Sequence, residues 1–177
     1  MKAFLSTGWS LITFRAGPDA LPYAPRMILP LVVLNLALGF VIQAVAGSGM
    51  DKPVVQLSAM ALAAEALWLW LLLRRRGWDN RWVQGFSALV LIDTFITALA
   101  APIALLAGAG EALLAVGAVA QIVMTLWSLT VRGAIYQHTL EIERWKGVLL
   151  ALTPLFAVMV LTILLFPELL PAPPPQV

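Results

Sequence analysis

The chain has 177 residues, of which 62% are hydrophobic and 11% charged, and its formal net charge is +2. A soluble domain carries about 25% charged residues. The charges here are too few to cover a water-soluble surface, so the composition predicts an integral membrane protein. The chain has no cysteine and one histidine, His138, which excludes disulfides, thiol catalysis and any metal site with two histidines.

Residues 1–26 precede the first long apolar segment. Several apolar side chains of this region fall along one face of a helix: Phe4, Leu5, Trp9 and Ile12. Lys2 and Arg15 flank that face, a pattern typical of an amphipathic helix lying in the membrane interface. The alternative is a short helix that caps the transmembrane bundle from the cytoplasm.

Five segments are long and apolar enough to cross a bilayer, which requires about 20 residues each. We place these spans at about residues 27–46, 54–73, 84–107, 111–131 and 147–166. The predicted fold is therefore all-α, a polytopic transmembrane bundle over residues 27–166. The last segment, 167–177, is rich in proline and expected to be extended and disordered.

The basic residues indicate how the spans are oriented. With five spans, ten lysines and arginines fall on one side and only Lys52 on the other. The positive-inside rule then places the N-terminus in the cytoplasm and the C-terminus outside. The abundance of arginine, alanine, leucine and glycine is typical of a GC-rich bacterial genome, so the expected location is a bacterial inner membrane.

Four of these arginines lie between the second and third spans and are candidate contacts for anionic lipid: Arg74, Arg75, Arg76 and Arg81. Polybasic segments beside a span attract anionic headgroups. The alternative is that this run only determines topology. No nucleic-acid motif accompanies it, and no nucleic-acid partner is expected.

Polar side chains recur at one depth in the predicted spans. At 1.5 Å per residue they form a layer roughly 9 to 15 Å below the inner boundary, made of Asn35, Glu65, Asp93, Gln121 and Thr125. Arg132 is expected nearer the interface, at the end of the fourth span. With no cation at their depth, Glu65 and Asp93 are expected to share at least one proton at neutral pH. The layer is either a proton- or ion-linked site or a set of hydrogen bonds between helices.

The sequence offers little support for catalysis. An active site would need a nucleophile beside a base, or a cluster of metal ligands. His138 and Glu141 share one helical face at i and i+3, but one such pair falls short of a metal site. We expect no catalytic residue, no metal and no cofactor.

The layout resembles the Yip1 domain family. The similarity lies in a proline-rich entry, "GPDALPYAPRMILP", and in the segments "WVQGFSALVLIDTFITALAAPIALLA", "IVMTLWSLTVRGAIYQ" and "WKGVLLALTPLFAVMVLTILLF". It covers about residues 1–168. The resemblance implies a five-span membrane protein without catalytic residues. The long cytosolic N-terminal region of the eukaryotic relatives is missing here, so their role with small GTPases is not carried over.

The function expected from the sequence is a non-catalytic, structural or accessory membrane protein. Its partners would be the lipid bilayer and either another membrane protein or further copies of the chain. The alternative is a small proton- or ion-coupled transporter or channel that uses Asp93 and Glu65. A third hypothesis is an interfacial binder that uses the basic cytoplasmic face.

Overall fold

A computed structural model describes residues 2–45, 53–107 and 111–167. This part of the chain is helical, with no strand. Its six α-helices are α1 (Lys2–Ile12), α2 (Ile28–Val45), α3 (Val54–Arg76), α4 (Trp82–Ala107), α5 (Glu111–Leu140) and α6 (Arg144–Leu165). Short 3₁₀ turns at Pro18–Ala20, Pro25–Met27 and Asp79–Arg81 connect some of them.

The structure confirms a helical bundle in which five helices, α2 to α6, are long and apolar enough to cross a membrane. The ends of the predicted spans lie within three residues of the ends of these helices, with one exception. The fourth span was expected to end at Val131, whereas α5 continues to Leu140. Apart from Pro167, the predicted proline-rich tail lies outside the described residues.

Helix α4 lies at the centre of the bundle. It packs against α1, α2, α3 and α5, while α6 packs against α3 and α5. Half of the membrane-crossing window of α4 is buried, compared with 11 to 17% for the other four helices. The uninterrupted buried run from Phe86 to Ile92 explains this position, because a helix that is apolar on all sides belongs inside a bundle.

One end of the bundle collects basic side chains, and we call it the basic end. There α3 and α5 terminate and α4 and α6 begin. Helix α3 stops at Gly77, which adopts a left-handed conformation with φ of 69°. The Trp78 N–H bonds the Leu73 carbonyl at 3.0 Å and the Gly77 N–H bonds the Arg74 carbonyl at 3.2 Å, which is a Schellman C-cap. This turn sends the chain directly back into α4.

Helices α5 and α6 approach each other closely because glycine lies at their crossing. A Cβ atom on Gly147 would collide with the carbonyl oxygen of Gly133. A Cβ on Gly133 would lie 2.9 Å from the backbone nitrogen of Val148. Small residues allow helix backbones to pack at short range inside a membrane, where the hydrophobic effect does not drive association.

Proline and tryptophan join α6 to α3. Pro154 lies inside α6 and has no N–H, so the carbonyl of Leu150, four residues earlier, lacks its helical partner. The indole N–H of Trp68 on α3 donates to that carbonyl at 3.0 Å. The backbone group released by proline is thus satisfied by a neighbouring helix, as a nonpolar solvent requires.

Helix α1 lies against α4. Leu11 and Ile12 are buried, and a Cβ on Gly8 would collide with the ring of Phe95. Trp9 was expected to share an environment with Ile12, but its side chain is 51% exposed while Ile12 is fully buried. The side chains of Phe4 and Leu5 lie outside the described part. Contact with the bundle is therefore observed for α1, and Trp9 points away from it.

The close crossing of α5 and α6 leads to a first prediction. Gly147→Ala should destabilise the protein by about 1 to 3 kcal/mol, because the added methyl group forces the two helices apart. Gly39→Ala is the matched control, since its Cβ would come no nearer than 4.0 Å to Ser58. Unfolding in mixed micelles would measure both. Equal stability of the two variants would show that the crossing tolerates separation.

Candidate functional site

Glu65 lies on the inward stripe of α3. The buried residues of this helix are Leu62, Glu65, Leu69 and Leu73, which recur at helical spacing. The periodicity places the carboxyl group of Glu65 among apolar side chains that face the bundle. Glu65 is only 3% exposed, so its charge needs a partner inside the protein.

That partner is Arg132, which the sequence analysis placed near the interface. Because α5 continues for nine residues beyond Val131, Arg132 lies about 12 Å inside the end of its helix at Leu140. The expectation that no cation shares the depth of Glu65 and Asp93 is therefore wrong. The signal in the sequence was the apolar stripe of Val131, Ile135, Tyr136 and Leu140, all of which are buried.

The guanidinium of Arg132 forms two ion pairs at once. Its Nη1 donates to Oε2 of Glu65 on α3, and its Nη2 donates to Oδ1 of Asp93 on α4. The planar fork of arginine suits two carboxylates on different helices, whereas lysine offers a single point charge. We call Glu65, Asp93 and Arg132 the triad. It joins α3, α4 and α5.

Asn35 extends this network to α2. Its side-chain nitrogen donates to Oδ2 of Asp93 at 3.0 Å and to Oγ1 of Thr94 at 3.1 Å. The hydroxyl of Thr94 in turn donates to the Val90 carbonyl at 2.8 Å. Asn35 is 4% exposed and Thr94 is 9% exposed. Four helices therefore meet through polar contacts at one level, and Thr94 is a member that the depth argument missed.

The remaining two members of the predicted layer lie elsewhere. Gln121 and Thr125 are on an exposed face of α5, and the Thr125 hydroxyl donates to the Gln121 carbonyl at 2.8 Å. Both line a cleft of about 250 Å³ between α2, α4 and α5, and Thr125 also borders the cleft beside the triad. Because α5 continues to Leu140, Thr125 and Gln121 lie about 10 and 16 Å along the helix from Arg132, so they do not share the level of the triad.

The triad opens onto a cleft of about 410 Å³ bounded by α3, α4, α5 and α6. Its polar lining includes Ser58 and Ser128, and its apolar lining includes Ala61 and Val158. The side chain of Asp93 is 29% exposed and that of Arg132 is 21% exposed, compared with 4% for Glu65. Asp93 and Arg132 can thus be reached from the cleft.

The charges of the triad do not cancel. Two carboxylates and one guanidinium sum to −1 when all three are ionised. Of the four carboxylate oxygens, three accept a hydrogen bond from Arg132 or Asn35. The fourth, Oε1 of Glu65, is buried and has no hydrogen-bond partner among the described residues.

The predicted anionic-lipid contacts divide into two pairs. Arg76 donates to the Leu140 carbonyl, and Arg81 donates to the Thr139 carbonyl at 3.4 Å. These cations bond the last carbonyls of α5, where they also interact favourably with the helix dipole. Arg74 lies 4.7 Å from the centre of the Trp70 ring, and both Arg74 and Arg75 are exposed. Arg76 is exposed as well, but its guanidinium is bonded to α5, unlike those of Arg74 and Arg75.

Other charged groups of the basic end pair locally. Arg81 forms an ion pair of 2.6 Å with Glu141. Glu143, which precedes α6, accepts from Lys146 and from the indole of Trp145, and these hydrogen bonds lower the pKa of Glu143. Within the described ranges, no group of three or more histidine, aspartate or glutamate side chains is placed to hold a metal ion.

No protein-family model, curated protein or solved structure matches this chain. The resemblance to the Yip1 domain family therefore stays a prediction. Function has to be inferred from the geometry of the triad and the surfaces around it.

The triad leads to a second prediction. Arg132→Met should destabilise the protein by about 3 kcal/mol, because it leaves the buried carboxylate of Glu65 and the half-buried carboxylate of Asp93 without a cation. The triple variant Arg132→Met, Glu65→Gln, Asp93→Asn should recover most of that loss. Arg75→Met, an exposed arginine, is the control, and unfolding in mixed micelles is the measurement. If Arg132→Met is as stable as the control, the triad does not hold the helices together.

Proposed function

We propose that this chain is a non-catalytic protein of a bacterial inner membrane that acts through lateral contacts with lipid or another membrane protein. The observation that best supports this role is the way the buried charges are used. Glu65, Asp93 and Arg132 bond one another across three helices, and Asn35 adds a fourth helix. An arrangement of this kind fixes helix register.

The outer faces of the bundle supply the surface for such contacts. Only 11% of the membrane-crossing windows of α2 and α6 is buried within the protein. Large apolar side chains cover these helices, among them Leu29, Val33, Val41, Phe156, Met159 and Leu164. In a bilayer they would face acyl chains, another membrane protein or a second copy of the chain.

The basic end provides a second contact surface. We propose that it lies in the cytoplasm, because nine of the eleven lysines and arginines belong to that side, whereas Arg132 lies inside α5 and Lys52 belongs to the other side. Arg74 and Arg75 are exposed there and would meet anionic headgroups. Arg76 and Arg81 bond the end of α5 and would contribute to stability instead.

A proton- or ion-coupled function is the second candidate. It is supported by two observations: the triad carries an uncompensated negative charge, and Asp93 lines a cleft of about 410 Å³. Ionisable residues inside a membrane are frequently part of ion or proton pathways. Membership of the Yip1 domain family is compatible with either role and is likewise a proposal.

The proposed orientation gives a third prediction. Reporter fusions after residues 50, 80, 110, 142 and 172 should alternate between outside and cytoplasm, starting and ending outside, because one crossing helix separates each fusion point from the next. Paired alkaline phosphatase and green fluorescent protein reporters would measure the side. A C-terminal fusion that fluoresces and lacks phosphatase activity would place the C-terminus in the cytoplasm and contradict the proposal.

A fourth prediction tests the proposed function. The double variant Arg74→Gln, Arg75→Gln should lose anionic-lipid binding, roughly fivefold for each arginine removed, without losing stability. Arg76→Gln should instead lower stability. Native mass spectrometry in nanodiscs of defined composition would count bound lipids, and unfolding would report stability.

Flux measurements in sealed liposomes separate the two candidate functions. If the protein has the accessory role, liposomes that contain it should show no proton or cation flux above that of empty liposomes. A flux that disappears in Asp93→Asn would contradict the accessory role and establish the coupled one. Lipid binding that is unchanged in the double variant would remove the proposed lipid contact.

A further inference from the structure

Three buried side-chain atoms lack a hydrogen-bond partner within the part of the chain that the structure describes. They are Oε1 of Glu65, the hydroxyl of Tyr136 and Oγ1 of Thr139. Buried polar atoms are nearly always bonded, and ordered water satisfies those that protein groups do not reach. These three atoms therefore indicate where water enters the bundle.

The three atoms belong to a row of polar side chains that is directed from the triad toward the basic end. Arg132, Tyr136 and Thr139 occupy positions i, i+4 and i+7 of α5 and so share one helical face. At 1.5 Å per residue, Tyr136 lies about 6 Å and Thr139 about 10 Å nearer the basic end than Arg132. Glu65 is bonded to Arg132 at the inner end of this row. Ordered water molecules beside these atoms would complete the row.

The row ends in an open cleft. Thr139 borders a cleft of about 440 Å³ at the basic end, together with Arg81, Gln84 and Glu141. Gly85 on α4 faces Thr139, and a Cβ there would lie 3.3 Å from its hydroxyl oxygen. Glycine at this position allows the backbone of α4 to lie directly against Thr139. The row thus runs from the basic end to the triad.

Glu65 lies at the inner end of this row and belongs to the triad, whose three ionised groups sum to −1. Three of the four carboxylate oxygens of the triad already accept a hydrogen bond, so an added proton belongs on Oε1. The charged and titratable groups that face Glu65 are Arg132 and Tyr136 from α5 and Asp93 from α4. Helix α2 contributes the neutral Asn35, and α6 contributes only apolar residues to the adjoining cleft. One proton brings the triad from −1 to zero.

We propose that Oε1 of Glu65 is a proton-binding site that exchanges its proton with water at the basic end through Tyr136 and Thr139. The proton comes from a hydronium ion or a buffer acid in that cleft. Each water molecule of the row and the hydroxyls of Thr139 and Tyr136 accept a proton on oxygen and release their own to the next oxygen, so each is unchanged after a transfer. The net change is one O–H bond broken on the hydronium ion or buffer acid and one formed on Oε1 of Glu65. This inference deepens the proton-coupled candidate function by naming the ion, the binding atom and the side of access.

The test is time-resolved infrared spectroscopy of the full chain in lipid after a light-triggered release of protons. Acidification should produce a protonated-carboxyl band that Glu65→Gln removes. Tyr136→Phe and Thr139→Val should slow the rise of this band roughly tenfold, the effect of losing one hydrogen bond in the rate-limiting step. Its final amplitude should stay the same.

Matched controls separate the relay from general damage. Thr139→Ser keeps the hydroxyl and should restore the wild-type rate. Tyr23→Phe and Thr130→Val alter exposed residues of the same types and should change nothing. Circular dichroism would verify that each variant is folded, and the serine–valine pair at position 139 decides the question if Tyr136→Phe does not fold.

Two results would overturn the proposal. If no carboxyl band depends on Glu65 over the accessible pH range, the proton-binding site is absent. If the band rises equally fast in Tyr136→Phe and Thr139→Val, the proton arrives by another route. This test is independent of the test of proton-coupled function. If the infrared band shows that Glu65 binds a proton but liposomes show no flux, the coupled function is contradicted and this inference stands.

Discussion

The guanidinium of Arg132 is the group on which the arrangement of this bundle depends. An arginine two helical turns inside an apolar helix is tolerated only when its charge is matched. Glu65 and Asp93 match it from two other helices, and neither carboxylate would be tolerated at that depth without the cation. Because each charge requires the others, rotation or sliding of α3, α4 or α5 breaks at least one bond of the triad.

The fifth crossing helix is held by a different kind of contact. Helix α6 brings no charge to the triad, and it is joined to its neighbours through backbone proximity. Gly147 lies against the Gly133 carbonyl, one residue after Arg132, and the Leu150 carbonyl accepts from Trp68. In lipid, close packing of small residues and hydrogen bonds between helices stabilise helix association, because the hydrophobic effect does not contribute there. Two of the α5 residues that set the fold, Arg132 and Gly133, are therefore adjacent in the sequence.

The sequence was sufficient to predict five spans and to bring Glu65, Asp93 and Asn35 to one level, because hydropathy and rise per residue determine depth. It did not predict Arg132 as their partner, since the fourth span was taken to end at Val131, directly before the arginine. Helix α5 continues because Ile135, Tyr136 and Leu140 still bury apolar surface beyond that charge. Gln121 and Thr125 were placed at this level for the same reason: their depth was counted from Val131, whereas α5 ends at Leu140.

The two carboxylates of the triad are hydrogen-bonded to different extents, and this difference separates a structural role from a proton-binding role. To fix helix register, one bonded oxygen from each carboxylate is sufficient, and Arg132 donates to each of these oxygens. Asn35 also satisfies the second oxygen of Asp93, whereas the second oxygen of Glu65 is buried without a donor in the described part of the chain. Buried ion pairs add little stability over apolar residues of similar volume, so stability alone does not account for a triad that retains a net charge. The proposed proton on Glu65 would account for it, because the same residue would then fix the helices and balance the charge.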